Sequence, residues 1–321
     1  MLDNQPNCPP DRPATDDSVI IERLRKVLNG ALKGKPEVIE MALAALLAGG
    51  HILFDDLPGI GKTTLGKAVA SAVGGTFGRL QGTPDLLPSD ITGFNIFNRK
   101  TQEFEFRRGP IFSDVLLADE INRATPRTQS ALFEAMSERQ VSVDGQTFPL
   151  VENFFVIATQ NPIEHHGTFE LPEAQLDRFA VKLTIGYPDA RHEAALLRDE
   201  AHSNSKNRGE PERVITPEQL VEMRDRVADV QVAEKIQDYF VDLATFIRNH
   251  RDVRNGLSPR ALIIWQRMAQ SWALINGRDF VTPDDVQKTA RPVLGVRLSG
   301  NFKDVTSFID ETISAVDVPV E

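Results

Sequence analysis

The sequence predicts an α/β domain built on a parallel sheet, followed by a smaller all-α domain. Short apolar runs at residues 51–54, 115–118, 154–158 and 181–185 alternate with helical or looped sequence, as buried parallel strands do. After Gly186-Tyr187-Pro188-Asp189 such runs stop and helical periodicity takes over. The 321 residues suffice for two domains.

Along the chain, residues 1–18 are rich in Asp, Asn and Pro and read as a disordered tail. They hold no basic patch leading into an apolar run, so no signal peptide is expected. Ile20, Leu24, Val27 and Leu28 then share one helical face. A second helix is expected from about Pro36 to Ala48, where Gly49-Gly50 stops it ahead of the first strand. The most apolar stretch, residues 41–54, is broken by Gly49, Gly50 and His51 and is too short to span a bilayer. In the C-terminal part, Thr216-Pro217, Ser258-Pro259 and Thr282-Pro283 each set a hydroxyl before Pro, the entry signal of a helix. Val232, Ile236, Tyr239, Phe240, Leu243 and Ile247 form one apolar stripe; Ala261, Ile264, Trp265, Met268 and Trp272 form another. Both are helical core. A polar loop is expected at residues 202–212. The domains therefore run 19–187 and 188–321.

Lys and Arg number 36 against 46 Asp and Glu, a formal net charge of −10. Such a chain lacks the positive field that non-specific nucleic-acid binding uses. Cys8 is the single cysteine, which excludes an internal disulfide and a Cys zinc site. With 41% hydrophobic and 26% charged residues, a soluble globular protein is expected, and with neither a signal peptide nor a bilayer-length apolar run, a cytoplasmic one.

The strongest motif is Asp56-Leu57-Pro58-Gly59-Ile60-Gly61-Lys62-Thr63, between an expected strand and a helical run at 65–73. Backbone N–H groups and a helix N-terminus converge on an anion in that context. Gly59 and Gly61 admit close approach of phosphate oxygens, Lys62 would reach the β- and γ-phosphates, and the Thr63 hydroxyl would ligate Mg²⁺. Asp56 stands where the usual pattern has Gly. Downstream, Val115-Leu116-Leu117-Ala118-Asp119-Glu120 ends a buried strand in two acids, which is costly unless a cation compensates. Asp119 would hold the metal, and Glu120 would orient or deprotonate the attacking water. Asn161 follows a third strand and could hydrogen-bond the γ-phosphate or that water; a turn-stabilising Asn before Pro would look the same. Arg178 and Arg260 also stand out, although a surface Arg fits either position. Arg260 falls in the first turn of the helix opened by Ser258, where a cation opposes the helix dipole. Arg123 fits a subunit boundary or a plain surface, and His165-His166 reads as a solvated loop rather than a metal site.

Together these pieces resemble the MoxR family of AAA+ ATPases. The matching stretches are "LLAGGHILFDDLPGIGKTTL", "TPDLLPSDITGFNIFN", "GPIFSDVLLADEINRATPRTQSALFEAMSERQVSVDG", "FFVIATQNPIE", "LPEAQLDRF", "GLSPRALI" and "GRDFVTPDDV", spread in order over roughly residues 30–300. The resemblance implies a five-stranded core with a helical lid, assembled into a ring that is usually hexameric. It makes Pro58, Gly59, Ile60, Gly61, Lys62, Thr63 and Thr64 the Walker A loop for ATP, with Mg²⁺ held by Thr63 and Asp119. Glu120 completes Walker B, Asn161 becomes sensor 1, Arg178 the arginine finger toward a neighbouring subunit, and Arg260 the lid's sensor 2. Leu32-Lys33-Gly34-Lys35 is expected near adenine. Asp56 recurs among such relatives, whereas Gly82 stands where the family usually has a bulky apolar residue.

Residues 94–97 and 104–106 alternate about a polar turn, and residues 140–143 and 146–148 flank Asp144-Gly145; both read as β-hairpins. The resemblance points them toward a ring axis or a client. It further implies Mg²⁺-dependent ATP hydrolysis serving a chaperone of protein clients, some bearing von Willebrand factor A domains. Alternatives are a metal-chelatase-like or DNA-translocating motor of the same branch, and a nucleotide-switched scaffold with little turnover.

Overall fold

The computed structural model describes residues 16–162, 167–202 and 212–319. Helix α1 (Asp16–Ala31) buries Ile21, Leu24 and Leu28. It starts at Asp16, so Asp16, Asp17 and Ser18 form its first turn rather than the end of the expected tail. Helix α2 (Pro36–Leu47), with Pro at its first position, is buried continuously from Met41 to Leu47 and delivers the chain into β1 (His51–Asp55). The chain continues through α3 (Lys62–Ala72), β2 (Phe77–Gln81) and short α4 (Pro88–Thr92). A hairpin, β3 (Gly93–Asn98) with β4 (Glu103–Arg108), precedes β5 (Val115–Asp119) and α5 (Pro126–Glu138). A second hairpin, β6 (Gln140–Val143) with β7 (Gln146–Pro149), precedes β8 (Phe155–Gln160), α6 (Glu173–Leu176) and β9 (Phe179–Leu183).

Among the described residues the sheet has five strands, all parallel, in the order β2-β5-β8-β1-β9. Strand periodicity divides its side chains between two cores. Ile52, Phe54, Leu117 and Ile157 pack on the face carrying α1, α2 and α3. Leu53, Leu116, Val156 and Ala158 pack on the other face with Leu132 and Phe133 of α5. Four strands fall on the apolar runs read from the sequence, although β9 begins at Phe179, two residues earlier than expected. The fifth, β2, left no such run, because only Leu80 of its five residues is buried.

The lid comprises α7 (Ala190–His202), α8 (Pro217–Asp229), α9 (Glu234–Asn249), β10 (Val253–Asn255), α10 (Pro259–Ile275), α11 (Pro283–Leu294), β11 (Ser299–Gly300) and α12 (Val305–Ala315). Among the described residues, the small β10–β11 ladder and a single bridge between Gln231 and Phe280 depart from an all-helical lid. The expected polar loop at 202–212 lies mostly outside the described residues. Thr216 and Gln219 close a reciprocal capping box, and Ser258 accepts the Ala261 N–H at 3.0 Å. At the third entry the buried Asp285 takes both donors of Thr282 and a bidentate pair from Arg278. Trp265 packs edge-on against Phe240, and its indole N–H donates to Val286 and Thr289 of α11. Lid and sheet share one apolar core, and Ser271 of α10 donates to the Ala44 carbonyl of α2 at 2.8 Å. Among the described residues no helix is long and apolar enough to cross a membrane.

His51 opens β1 and is buried. Its Nδ1 accepts the Val156 N–H at 3.0 Å, and its ring also hydrogen-bonds the Met136 backbone. Burial, reinforced by the charges of Arg139, Arg224 and Arg260, lowers its pKa to about 3. The folded chain thus keeps His51 neutral while the unfolded chain protonates it below about 6.5. Stability should therefore fall as pH drops from about 6.5 toward 3, by about 2 kcal/mol between pH 7 and 5. Urea denaturation across that range checks it: His51→Phe should remove this component of the slope, and an unchanged slope refutes the assignment.

Candidate functional site

Between β1 and α3 the backbone turns through Gly59 at φ +87° and Gly61 at φ +102°, conformations that glycine adopts without strain. Gly61 is also the N-cap of α3, and no side chain caps that helix, so its first N–H groups face the adjoining cavity. The cavity, of about 390 Å³, is lined by Pro58, Gly59, Gly61, Lys62, Thr63 and Thr64 on the loop side. Asp119, Glu120, Thr159 and Asn161 line it from the ends of β5 and β8, and Arg79 and Gln81 from β2. Ile60 instead faces a neighbouring cleft.

Lys62 is buried, and its ammonium donates to the carbonyls of Asp56 at 2.9 Å and Leu57 at 3.0 Å. Burial lowers its pKa, against the opposing pull of Asp119, Asp56, Glu120 and Asp55. The structure explains Asp56: one carboxylate oxygen accepts the Gly186 N–H at 3.1 Å and the other that of Ile185. The phosphate-loop entry is thereby pinned to the segment leading into the lid.

The acids are held by a residue that carried no motif signal. The Thr159 hydroxyl donates to Asp119 Oδ1 at 2.7 Å and accepts the Glu120 N–H at 2.8 Å. Glu120 takes the left-handed region at φ 51°, which costs a side chain about 1–2 kcal/mol. Its carboxylate pairs with Arg123 at 3.1 Å, so Arg123 belongs to this site in the chain itself. Gly82, the departure from the family pattern, also has a local cause. Its N–H donates to the Asp119 carbonyl at 2.7 Å, and an added Cβ would lie 2.1 Å from the Glu120 carbonyl oxygen.

Beside the loop runs a cleft of about 890 Å³ lined mainly by apolar groups, with Ala31, Leu32 and Lys33 on one wall and Tyr187, Pro188 and Leu197 on the other. Gly34 and Lys35, expected near adenine, do not line it. Gly34, at φ +76°, packs under the His192 ring, and Lys35 reaches toward Gly186.

Arg178 and Arg260 lie together but at the other end of the sheet. With Arg139, Arg267 and Ser137 they line a cavity of about 320 Å³ around Gly50 and His51. Among the described residues no carboxylate lines it. Arg178 donates to Ser137 Oγ at 2.6 Å and to the Ala174 carbonyl. Five-residue β1, roughly 16 Å long, separates this cavity from the phosphate loop. Arg260, expected as the lid's sensor 2, thus stands at the start of α10, at the amino-terminal edge of the sheet and away from the chain's own phosphate loop.

The two hairpins form one unit: Phe106 stacks on Phe148 at 4.1 Å, and Asn95 donates to Asp144 at 2.7 Å. Phe94, Ile96, Phe97 and Phe104 are exposed on it. His165 and His166 lie outside the described residues.

Comparison with known proteins agrees with this layout. Residues 51–181 match the family model described as "ATPase family associated with various cellular activities (AAA)", and residues 245–315 match the AAA lid domain. The Bacillus subtilis protein YeaC is 45% identical over 92% of this chain and 93% of its own. Chaperone MoxR1 of Mycobacterium tuberculosis is 39% identical over 87% and 75%, and protein MoxR of Paracoccus denitrificans 31% identical over 91% and 94%. The crystal structure of an ATPase candidate from Cytophaga hutchinsonii superposes with a TM-score of 0.87 at 32% identity, covering 95% of this chain and 96% of that one.

A side chain at position 82 must push the end of β2 away from Glu120 and stretch the bond to Asp119. Gly82→Ala should therefore cost about 1–3 kcal/mol in urea denaturation, the scale of overpacking. Gly59→Ala meets open space and should cost only the left-handed penalty of about 1–2 kcal/mol. A neutral Gly82→Ala would refute the close approach.

Proposed function

Since the chain belongs to the MoxR family of AAA+ ATPases, we propose that it hydrolyses ATP to ADP and phosphate and uses the energy to remodel a protein client. The observation that carries this reading is the convergence of Lys62, Thr63, Asp119, Glu120 and Asn161 on one cavity at the carboxyl ends of the strands. A hydroxyl and a carboxylate are the hard oxygen donors that suit Mg²⁺, so Thr63 and Asp119 would hold it. Bound there, Mg²⁺ supplies neutralisation of phosphate charge.

The chain's own residues do the rest. Lys62 and the α3 N-terminus bind the phosphates, and the apolar cleft between Leu32 and Tyr187 takes the adenine. Glu120 orients water or accepts its proton, helped by a backbone that Thr159 fixes. Asn161 aligns the same water from the neighbouring strand. While Glu120 acts, Arg123 pairs with one oxygen of its carboxylate.

Arg178 and Arg260 then act on the nucleotide of a neighbouring copy, in a ring that is most simply a hexamer. Their shared, carboxylate-poor cavity and its distance from the chain's own loop support this. The client role draws on the relative named Chaperone MoxR1 and on the exposed aromatics of the paired hairpins. A partner with a von Willebrand factor A domain would be a separate polypeptide. The net charge of −10 disfavours a nucleic-acid motor and leaves a protein-directed one.

Turnover per subunit should rise with protein concentration, since an arginine finger contributes about 10³–10⁵ in rate. Glu120→Gln should bind ATP normally yet lose at least about 100-fold in phosphate release. Mixing inactive Lys62→Ala with inactive Arg178→Ala should restore activity, because the first lends its arginines to the nucleotide of the second. A mixture that stays silent, with concentration-independent wild-type turnover, would refute action across an interface. Stimulation by DNA would favour the nucleic-acid motor instead.

A further inference from the structure

Arg79 carries no motif signal, yet its guanidinium lies in the phosphate cavity. It donates to Asp119 Oδ2 at 2.9 Å and to Gln81 Oε1 at 3.2 Å. Strand alternation puts Arg79 and Gln81 on one face of β2 while Leu80 enters the core. The ladder pairs Leu80 with Ala118 and Gln81 with Asp119, and Gly82 closes it by donating to the Asp119 carbonyl. Edge strand and acid are thus held in fixed register, with an arginine side chain free to reach between them.

The other acids of the cavity are already committed. Asp56 accepts two backbone N–H groups, and Glu120 pairs with Arg123. Asp119 has a neutral donor, Thr159, on one oxygen and a full cation on the other. Its side chain is 17% exposed against 50% for Arg79, so the cation is the partner that can leave. A metal arriving at Asp119 meets a competitor built into the same chain.

We propose that Arg79 is a resident counter-cation of Asp119 which Mg²⁺ must displace, so that it sets the Mg²⁺ concentration at which nucleotide is held tightly. This rests on the nucleotide-site reading above. Two opposite consequences follow. Without Mg²⁺, Arg79 screens Asp119 and lessens its repulsion of nucleotide phosphates. With Mg²⁺ present, breaking the ion pair opposes metal uptake. Damage to the fold would instead weaken both affinities together.

The experiment uses the full chain, a fluorescent ADP analogue that is not turned over, and a Mg²⁺ series beginning in EDTA. In Arg79→Gln, the half-saturating Mg²⁺ concentration should fall about three- to tenfold while Mg²⁺-free ADP affinity weakens by a similar factor, the scale of a partly exposed charged pair. Arg79→Lys should stay close to wild type. In an Asp119→Asn background, Arg79→Gln should no longer shift the Mg²⁺ dependence. An unchanged or raised Mg²⁺ requirement in Arg79→Gln overturns this inference alone. Failure of the unsubstituted chain to bind ADP at any Mg²⁺ concentration overturns the nucleotide-site reading with it.

Discussion

The parallel register of β1, β5 and β8 is the constraint on which the site depends. Phe54 lies opposite Thr159, and Ala118 opposite Ala158, so the three strands end level with one another. The phosphate loop, the Asp119-Glu120 pair and Asn161 all emerge from those ends. A slip of one residue would send Thr159 to the opposite face and separate the two acids from the hydroxyl that joins them. The same register gathers His51 and the arginine cavity at the opposite edge. The sheet thus sets the phosphate loop and the arginine cavity at its two opposite ends.

Charge at the loop end is balanced locally rather than by the protein's overall field. Buried carboxylates are costly unless partnered, and each acid there has a different partner. Backbone amides hold Asp56, Thr159 and Arg79 hold Asp119, and Arg123 holds Glu120. Lys62 lies among them, its proton loosened by burial. At the other edge Arg139, Arg178, Arg260 and Arg267 meet with no acid lining the cavity among the described residues. The acidic composition as a whole conceals this basic pocket.

What was legible in the sequence is what local chemistry dictates. Apolar runs marked β1, β5, β8 and β9 because both faces of those strands are buried, and the hydroxyl-Pro pairs marked helix entries because capping is local. The loop glycines were legible because their backbone geometry demands them. Strand β2 was not, since Phe77-Gly78-Arg79-Leu80-Gln81 has one buried residue. Thr159 and Arg79 were missed because their partners lie 40 residues away in sequence. Gly82 stood out as a departure, but only the approach of β2 to Glu120 gave it a cause. Arg260 was legible as the start of a helix; which edge of the sheet that start faces is a property of packing alone.

The lid is bonded to the arginine end of the sheet, and the segment that leads into it is bonded to the loop end. At the loop end, Asp56 grips Ile185 and Gly186 where the chain leaves β9. At the arginine end, Asp177, next to Arg178, accepts Arg297 Nε at 2.9 Å and the hydroxyl of Ser258, the N-cap of the helix bearing Arg260, at 3.0 Å. Arg297 is so deeply buried that its pKa falls to about 10, and it also donates to the carbonyls of Phe179 and Ala180. Arg178 and Arg260 are therefore braced against one carboxylate and its buried partner. A displacement of the lid that preserves these bonds carries both arginines together, and one that breaks them strands a buried guanidinium, which is costly. The connection through residues 185–186 sets the phosphate loop on the same rigid path. The loop and the arginine cavity are thus joined by a bonded route along β9, from Asp56 at one end to Arg297 and Asp177 at the other.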